Sequence, residues 1–268
     1  TNMEQVVRDM VGRSITEYYP GRTNEPGEIV LEVKNFCQEG LFNNISFKLR
    51  KGEILGVAGL MGAGRTEIMR ALFGVDSCKH GEVYLHGKKV CIQKPEDAIK
   101  AGIGFITENR KSEGLILDFS ISRNIALPSV DTFAKRSVIN TKNETAFSEA
   151  LSKKLGVKTA SIDLEAGALS GGNQQKVVIA KWIGMNPSII IMDEPTRGID
   201  VGAKRDIYDL MNELTSQGVA IIMVSSELPE VIGMSDRILV IHEGKIAGEL
   251  DHEEATQEKI ITLATGGQ

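Results

Sequence analysis

The strongest chemical pattern in this chain is the run Gly59-Leu60-Met61-Gly62-Ala63-Gly64-Arg65-Thr66. It follows the phosphate-binding pattern G-x-x-x-x-G-K-[ST] with one substitution, because Arg65 stands where a lysine is usual. The glycines allow successive backbone N–H groups to turn inward on an anion, and a helix that starts after them adds its positive end. This run therefore predicts a binding site for a nucleoside triphosphate.

A second pattern is an apolar run that ends in two acids, Ile189-Ile190-Ile191-Met192-Asp193-Glu194. In nucleotide hydrolases, an aspartate at such a strand end helps to hold Mg²⁺, and a following glutamate can orient and polarise the attacking water. We assign Asp193 to the metal and Glu194 to the water, and we expect the hydroxyl of Thr66 to reach the same Mg²⁺. Many strands end in acids, so this pattern gains its weight from the glycine-rich run upstream.

A third pattern, Leu169-Ser170-Gly171-Gly172-Asn173-Gln174-Gln175, precedes a predicted helix that runs to Ile183. Serine and glycine at a helix start leave backbone N–H groups free to meet an anion. The simpler interpretation is an ordinary capping turn. We favour an anion site because the pattern lies shortly upstream of the strand that ends at Asp193.

These patterns need a sheet to position them, and the sequence predicts an α/β fold with a parallel core. Buried apolar strands that alternate with helices in the second half of the chain are typical of such a sheet. The predicted strands are residues 29–33, 45–49, 54–58, 82–85, 103–107, 189–192, 220–224 and 238–241, and the helices between the later ones are residues 203–214 and 227–232. Residues 121–158 have helical spacing, with Phe147, Leu151 and Leu155 on one face.

The bulk composition is that of an ordinary globular protein, with 268 residues, 41% of them hydrophobic and 25% charged. A net charge of −5 argues against a nucleic-acid-binding face. The short basic pairs Lys88-Lys89 and Arg110-Lys111 are interpreted as solvated surface. The three cysteines lack C-x-x-C spacing and the four histidines form no i, i+4 pair, so neither a disulfide framework nor a zinc site is expected.

Two segments near the ends of the chain resemble each other. Residues 3–13 and 257–267 both place a glutamate, paired β-branched residues and a glycine at equal offsets, with Glu4 to Gly12 matching Glu258 to Gly266. Together with the first residue, Thr1, this similarity predicts that residues 1–27 are the tail of a preceding homologous module and its linker. A chance match between two short amphipathic helices is the alternative.

Leu169–Gln175 resembles the signature of ATP-binding-cassette (ABC) ATPases, and the order of the patterns along the chain follows theirs. Residues 59–66 and 194–204 look especially like the second cassette of bacterial ribose- and galactose-type sugar importers, whose ATPase subunits carry two cassettes in one polypeptide. The resemblance covers residues from about 28 to 268. It implies a P-loop NTPase cassette with a RecA-like parallel-sheet core, a β-rich subdomain and a helical subdomain at about residues 116–168.

The same resemblance implies ATP and Mg²⁺ as ligands and assigns further site residues. Glu108 takes the place of the Q-loop glutamine, where it could touch Mg²⁺, and Asp200 lies in the D-loop near the nucleotide. Ser226 stands where the switch histidine is expected. The signature residues that would close over ATP held by a partner cassette are Ser170, Gly171, Gly172 and Gln174. Because Arg65 and Ser226 depart from the family pattern, we expect this cassette's own site to bind ATP and to turn it over slowly.

No adenine-stacking tyrosine is evident, and Phe36 and Phe42 are better explained as core or loop aromatics. The resemblance implies three partners: a first cassette, membrane permease subunits that dock near residues 108–124, and indirectly a sugar-binding protein outside the membrane. It implies a location at the cytoplasmic face of the membrane and no nucleic acid. Two alternatives stay open, a non-hydrolysing nucleotide-binding regulatory module and a soluble ABC protein that acts on DNA or ribosomes. The latter should carry coiled-coil insertions or basic arms, which the sequence does not show.

Overall fold

The chain is described here from a computed structural model that covers residues 19–21, 25–78, 80–135 and 138–267. The repeated pattern at residues 3–13 lies outside these residues, so the predicted tail of a preceding module remains a prediction. Within the described part, no helix has both the length and the apolar character needed to cross a membrane.

The strands form two principal sheets and one small hairpin. In chain order they are β1 Ile29–Gln38, β2 Phe42–Arg50, β3 Ile54–Gly59, β4 His80–Leu85, β5 Lys88–Val90, β6 Ile103–Ile106, β7 Ala134–Lys135, β8 Val138–Ile139, β9 Ile189–Asp193, β10 Ala220–Val224, β11 Arg237–His242 and β12 Lys245–Asp251. The α-helices are α1 Arg65–Leu72, α2 Pro95–Lys100, α3 Ile121–Ala126, α4 Val130–Phe133, α5 Thr141–Lys154, α6 Gly171–Ile183, α7 Val201–Ser216, α8 Leu228–Met234 and α9 Gln257–Ala264. Single turns of 3₁₀-helix cover Leu127–Ser129, Ala166–Ala168 and His252–Glu254, and a π-helix covers Arg110–Gly114.

The central sheet has the strand order β12-β11-β3-β10-β9-β6. Its inner pairs are parallel, and β12 runs antiparallel along one edge. Every residue of β9 and β10 is buried, which is why both strands are nearly continuous apolar runs in the sequence. The predicted α/β fold with a parallel core is confirmed.

A second, antiparallel sheet with the order β2-β1-β4-β5 lies beside the phosphate-binding run. It contributes Phe36 and Phe42, whose rings stack 5.5 Å apart and are both buried. This packing agrees with the interpretation of the two aromatics as core residues. The backbone of β2 also contacts the central part of the molecule, because Asn43 N donates to the carbonyl of Gly244 over 2.8 Å.

The segment predicted to be helical, residues 121–158, is only partly so. Helices α3 and α5 are joined through α4 and a two-stranded hairpin, β7 with β8. Helix α5 lies against α6, where the ring of Phe147 and the side chain of Leu151 approach Gly184. The predicted apolar face of α5 is therefore present, but the helical region is interrupted by the hairpin.

The chain enters the cassette through a notch formed by α7 and α8. The ring of Tyr19 lies 5.3 Å from that of Tyr208, which is fully buried. The side-chain amide of Asn212 donates to the carbonyls of Pro20 and Gly21 over 3.2 and 3.3 Å. A Cβ at Gly233 would lie only 2.5 Å from the Tyr19 ring, so this glycine makes room for the tyrosine.

Candidate functional site

The phosphate-binding run connects β3 to α1. Two of its glycines, Gly62 and Gly64, have positive φ angles of 78° and 100°, a backbone region that other residues rarely adopt. A Cβ at Gly62 would meet nothing within 4 Å, so the loop opens toward solvent there. Leu60 and Met61 are exposed at the tip, whereas Ala63 is buried and bonded through its carbonyl to Gly244 N. The predicted strand, glycine-rich turn and helix are all present, and we call residues 59–66 the P-loop.

The sheet brings the other predicted catalytic groups to the same edge as the P-loop. β10 lies between β3 and β9, and all three run parallel, so their carboxyl ends are neighbours. Asp193 ends β9 and Ser225 follows β10. In open parallel sheets this edge is where ligands bind. Residues that are far apart in the sequence, such as Gly59 and Asp193, are in this way assembled into one site.

Asp193 is buried, and neither of its carboxylate oxygens has a hydrogen-bond partner among the described residues. Burial raises the pKa of Asp193 to about 6, while the nearby Thr66 hydroxyl acts in the opposite direction and the neighbouring Glu194 charge adds to the rise. A buried carboxylate without a partner is costly unless a cation or a proton meets it. The carboxylate of Asp193 and the hydroxyl of Thr66 therefore suit Mg²⁺, which prefers oxygen ligands.

Glu194 is held in an unusual backbone conformation at the turn after β9. Its φ angle is +49°, in the left-handed region, and its N–H donates to the carbonyl of Val224 over 2.9 Å. The hydroxyl of Ser226 donates to its Oε2 over 3.1 Å. Burial raises the pKa of Glu194, and Ser226 and Arg65 oppose that rise. A strained backbone and a perturbed carboxyl next to a P-loop are features of functional sites.

Arg65 reaches across the site to the end of β10. Its Nη1 donates to the carbonyl of Ser225 over 2.8 Å, and its Nη2 lies 3.9 Å from Oε1 of Glu194. The guanidinium thus lies between the P-loop and the strand end, next to the residue assigned to the attacking water. The sequence predicts a cation at this position, but it does not indicate that the cation contacts Glu194.

The signature segment lies at the start of α6, with Ser170 as the N-cap residue. Asn173 donates to the Ser170 hydroxyl over 3.0 Å. A Cβ at Gly172 would lie 3.1 Å from the Ala203 side chain and 3.7 Å from the carboxylate of Asp200, so the signature packs against the start of α7. Asp200 itself caps α7 by accepting from Ala203 N over 3.0 Å. Ser170, Gly171, Gly172 and Asp200 are therefore brought together.

Two predicted binding residues are not where the resemblance would place them. Gln174 is buried, and its amide donates to the carbonyl of Ala166 over 3.3 Å, so it points into the molecule and away from the exposed start of α6. Glu108 forms an ion pair with Arg197 of the D-loop, here residues 195–200. In this structure, Gln174 therefore contacts Ala166 in the interior and Glu108 contacts the D-loop.

One assignment from the sequence is wrong. Arg110 was expected to be a solvated surface residue with Lys111, but its guanidinium donates to the carbonyls of Arg197 and Gly198 over 2.8 and 3.1 Å. Lys111 is exposed, as expected. The contact joins residues 87 positions apart, so no local spacing in the sequence could reveal it.

The fold and the site together indicate the class of protein: a P-loop protein whose candidate nucleotide site lies at the carboxyl edge of a parallel sheet. The ABC transporter family matches residues 42–197, which is more than half of the chain, and the chain belongs to this family. The predicted resemblance is confirmed at this level.

Two curated relatives are identical to this chain at more than half of the aligned residues. The ribose import ATP-binding protein RbsA of Bacillus licheniformis is 60% identical over 268 residues, which are all of this chain and 54% of that protein. RbsA of Oceanobacillus iheyensis is 62% identical over 267 residues, again with 54% of its length covered. The chain therefore spans about half the length of the curated relatives that it matches.

Solved structures agree on the fold. MJ1267, an ATP-binding cassette of an ABC transporter, superimposes with a TM-score of 0.73 over 88% of this chain and 98% of that one, at 22% identity. A nucleotide-free ATP-binding cassette from an ABC transporter gives a TM-score of 0.72 over 87% of this chain and 95% of its own, at 21% identity.

Proposed function

We propose that this chain is one ATP-binding cassette of an ATP-driven importer for ribose or a related sugar. The observation that carries the ATPase part is the buried, unpaired carboxylate of Asp193 beside the P-loop, with Glu194 next to it. The sugar class is supported by relatives named as ribose import ATP-binding proteins, because their alignments cover all of this chain.

In this proposal the P-loop backbone binds the phosphates of ATP, and Thr66 and Asp193 hold Mg²⁺. The metal, when bound, neutralises charge on the phosphate oxygens. Glu194 would orient a water molecule against the γ-phosphate and take a proton from it as the water oxygen bonds to the γ-phosphorus and the bond from that phosphorus to the ADP oxygen breaks, which gives phosphate and ADP. A carboxyl whose pKa is raised by burial is better suited to accept that proton than a fully solvated one.

The cassette's own site is expected to be slow. Arg65 brings a planar fork and a permanent charge where a lysine is usual, and in this structure it binds Ser225 and approaches Glu194. Ser226 stands where the switch histidine would donate toward the γ-phosphate. In this structure its hydroxyl donates to Glu194. Loss of a comparable donor costs a factor of about 10²–10³ in rate.

The signature would serve a second site on a partner cassette. Ser170, Gly171 and Gly172 present an exposed helix start next to Asp200, and this helix start would close over ATP held by the partner's P-loop. A chain that matches about half of its relatives' length is consistent with a partner cassette in the same polypeptide. ATP binding would then close the pair, and hydrolysis would reopen it.

Motion of the pair would be passed to a membrane permease that docks on the helical subdomain. Three large apolar side chains, Ile116, Phe119 and Leu127, are at least 37% exposed around the start and end of α3. They lie in or beside residues 108–124, where the resemblance places the docking groove. Such a patch fits an apolar segment of a partner. The cassette would accordingly work at the cytoplasmic face of the membrane, with a sugar-binding protein on the other side.

A second candidate function is a regulatory module that binds nucleotide without hydrolysing it. It is favoured by the contacts of Glu194, since Ser226 engages one of its oxygens and Arg65 approaches the other. A carboxylate held in this way is less available to a water molecule. The presence of Glu194 at the position required for chemistry favours the transporter.

The two candidates are separated by ATPase measurements on the full-length protein with its permease in proteoliposomes. Glu194→Gln in this cassette should leave most of the turnover intact, whereas inactivation of the first cassette's own site should reduce it about 10²–10³-fold. Glu253→Gln, which neutralises an exposed carboxylate on the 3₁₀ turn before α9, is the matched control.

Uptake of labelled ribose in the same vesicles tests the substrate. If Glu194→Gln abolishes turnover as fully as disabling the first site does, the asymmetric scheme is wrong. Binding of Mg-ATP without turnover at either site would favour the regulatory module. ATP-dependent uptake of an unrelated solute in place of ribose would contradict the sugar assignment.

A further inference from the structure

We propose that Arg110 is a positioning residue that locks the D-loop to the signature, so that both surfaces move as one unit against a partner cassette. The inference rests on the proposed function and adds to it a residue outside the P-loop, the acidic pair and the signature. It starts from the two hydrogen bonds that the Arg110 guanidinium donates to consecutive D-loop carbonyls, those of Arg197 and Gly198.

The geometry of this contact favours an arginine. One planar guanidinium can meet two carbonyls at once, whereas a lysine ammonium is a single point charge. Hydrogen bonds from a charged donor are also stronger than those between neutral groups. Nη1 and Nη2 of Arg110 lie 2.8 and 3.1 Å from the two oxygens, which are lengths typical of well-formed bonds.

The other side of the guanidinium is covered by the signature. A Cβ at Gly171 would lie 2.7 Å from Nη2 of Arg110, closer than real side chains allow, and 3.4 Å from the carbonyl oxygen of Gly198. Arg110 therefore fills the space between the D-loop and the first residue of α6. Gly171 has two reasons to be a glycine: its predicted approach to a nucleotide, and the room that Arg110 needs.

Arg110 is also the first residue of the π-helix, which is held at both ends. Asn109 caps its start by accepting from the N–H groups of Lys111 and Ser112. At its end, Lys181 of α6 is buried and donates to the carbonyl of Gly114, and a Cβ at Gly114 would touch Val178 of the same helix. π-Helical turns are rare and are often found at functional sites.

These contacts connect the π-helix, the D-loop and α6 to one another. The π-helix is attached to the D-loop through Arg110 and to α6 through Lys181, and α6 carries the signature at its other end. A displacement of the signature must therefore be transmitted to the D-loop, or the Arg110 bonds must break. Since both segments would face the partner cassette's ATP, their relative position would control the partner site while leaving nucleotide binding at this cassette's P-loop unaffected.

The test uses the full-length protein assembled with its permease, with Mg-ATP as the probe. Arg110→Ala should lower kcat of the partner site by about 10-fold, since both charge-assisted hydrogen bonds are lost, and Arg110→Lys, which keeps a charged donor, should lower it less. The Kd for Mg-ATP at this cassette's own P-loop should change by less than about twofold, because Arg110 does not contact the P-loop. Lys111→Ala, which removes the adjacent exposed positive charge, is the matched control and should behave like the wild type.

A double-mutant cycle with Gly171→Ala distinguishes the proposed positioning role of Arg110 from a purely structural one. The added methyl should push Arg110 off the D-loop, so Gly171→Ala should cost at least as much as Arg110→Ala, and the double variant should be no worse than Gly171→Ala alone. Additive effects would show that Gly171 acts independently of Arg110 and would overturn the inference, as would wild-type kcat in both Arg110 variants. If the wild-type protein itself shows neither nucleotide binding nor turnover, the proposed function fails first.

Discussion

At the scale of single residues, the site combines two acids and one cation. The carboxylate of Asp193 has no hydrogen-bond partner among the described residues, the backbone of Glu194 is in the left-handed region, and the guanidinium of Arg65 donates to the Ser225 carbonyl. The sequence identified Asp193, Glu194 and Arg65 and placed the first two at a strand end, because an apolar run followed by two acids can be recognised locally. It could not show that Arg65 would bind the Ser225 carbonyl, 160 positions away, or approach Glu194. Contacts of this kind depend on strand order, which the chemical patterns alone do not encode.

Asp193 gives a prediction about stability and pH. Its folded-state pKa of about 6 lies above the ordinary 3.8, so the folded protein keeps a proton that the unfolded chain has lost between these two pH values. The contribution of Asp193 to stability therefore falls as the pH rises through this window. By pH 7.5 the buried charge costs up to about 3 kcal/mol.

Asp193→Asn should accordingly raise the melting temperature of the nucleotide-free protein at pH 7.5, and the gain should shrink as the pH is lowered toward 4. The measurement is thermal unfolding across a pH series, first without and then with Mg-ATP. With Mg-ATP the order should reverse, because the wild type gains ligand stabilisation that the variant lacks. A pH-independent difference, or a lower melting temperature of the metal-free variant, would contradict the explanation.

At the scale of elements, the buried strands of the central sheet were predicted well, whereas two edge strands were missed. The predicted limits of β3, β9, β10 and β11 lie within one residue of the observed ones, because buried parallel strands are continuous apolar runs. The edge strands β5 and β12 have mixed polar and apolar residues and were missed. The π-helix has no distinctive composition, and its shape depends on tertiary bonds at its two ends.

Lys181 gives a prediction about α6 and the π-helix that it holds. Burial lowers the pKa of Lys181 to about 8, below the ordinary 10.5. Between these values the unfolded chain binds the proton that the folded protein has lost, so the Lys181 contribution to stability increases as the pH rises from about 8 to 10.5. In thermal unfolding, the stability of the wild type should therefore increase relative to that of Lys181→Met as the pH rises over this range.

Lys153→Met on α5 removes an exposed lysine and controls for the loss of one positive charge. The amine of Lys181 can still donate to the Gly114 carbonyl after it loses its proton, so the π-helix should persist at high pH. A stability difference between wild type and Lys181→Met that stays constant from pH 7 to 10 would refute this view of the buried lysine.

At the scale of the whole molecule, the notch that holds Tyr19 connects the entry of the chain to the catalytic edge. Tyr208 and Asn212 lie on α7, which begins right after the D-loop, and Gly233 lies on α8, which begins two residues after Ser226. The sequence predicts a linker here, within residues 1–27, but not that Tyr19 packs against two core helices. That packing needs α7 and α8 side by side, which only the complete fold provides.

Gly233→Ala should expel Tyr19 from this notch. The new methyl would lie 2.5 Å from the tyrosine ring, and overpacking of this kind typically costs about 1–3 kcal/mol. The melting temperature in thermal unfolding should therefore fall below that of the wild type. The variant Gly27→Ala, whose added methyl would meet Lys51 at an ordinary distance of 3.5 Å, is the control.

Tyr19→Ala should reduce the penalty of Gly233→Ala in a double variant, because the methyl would then occupy vacated space. An equal loss of stability in both backgrounds would show that Gly233 is required for another reason, such as the geometry of α8.

The packing of Tyr19 against Tyr208 also determines where a recombinant fragment of the cassette should begin. A fragment cut at the first strand, near Ile29, would retain every element of both sheets and still leave an apolar hollow over Tyr208, whose ring is completely shielded only when the aromatic residue before Pro20 is present. Such a hollow invites self-association. Recombinant boundaries should therefore be chosen upstream of residue 19, even though the family match begins only at residue 42.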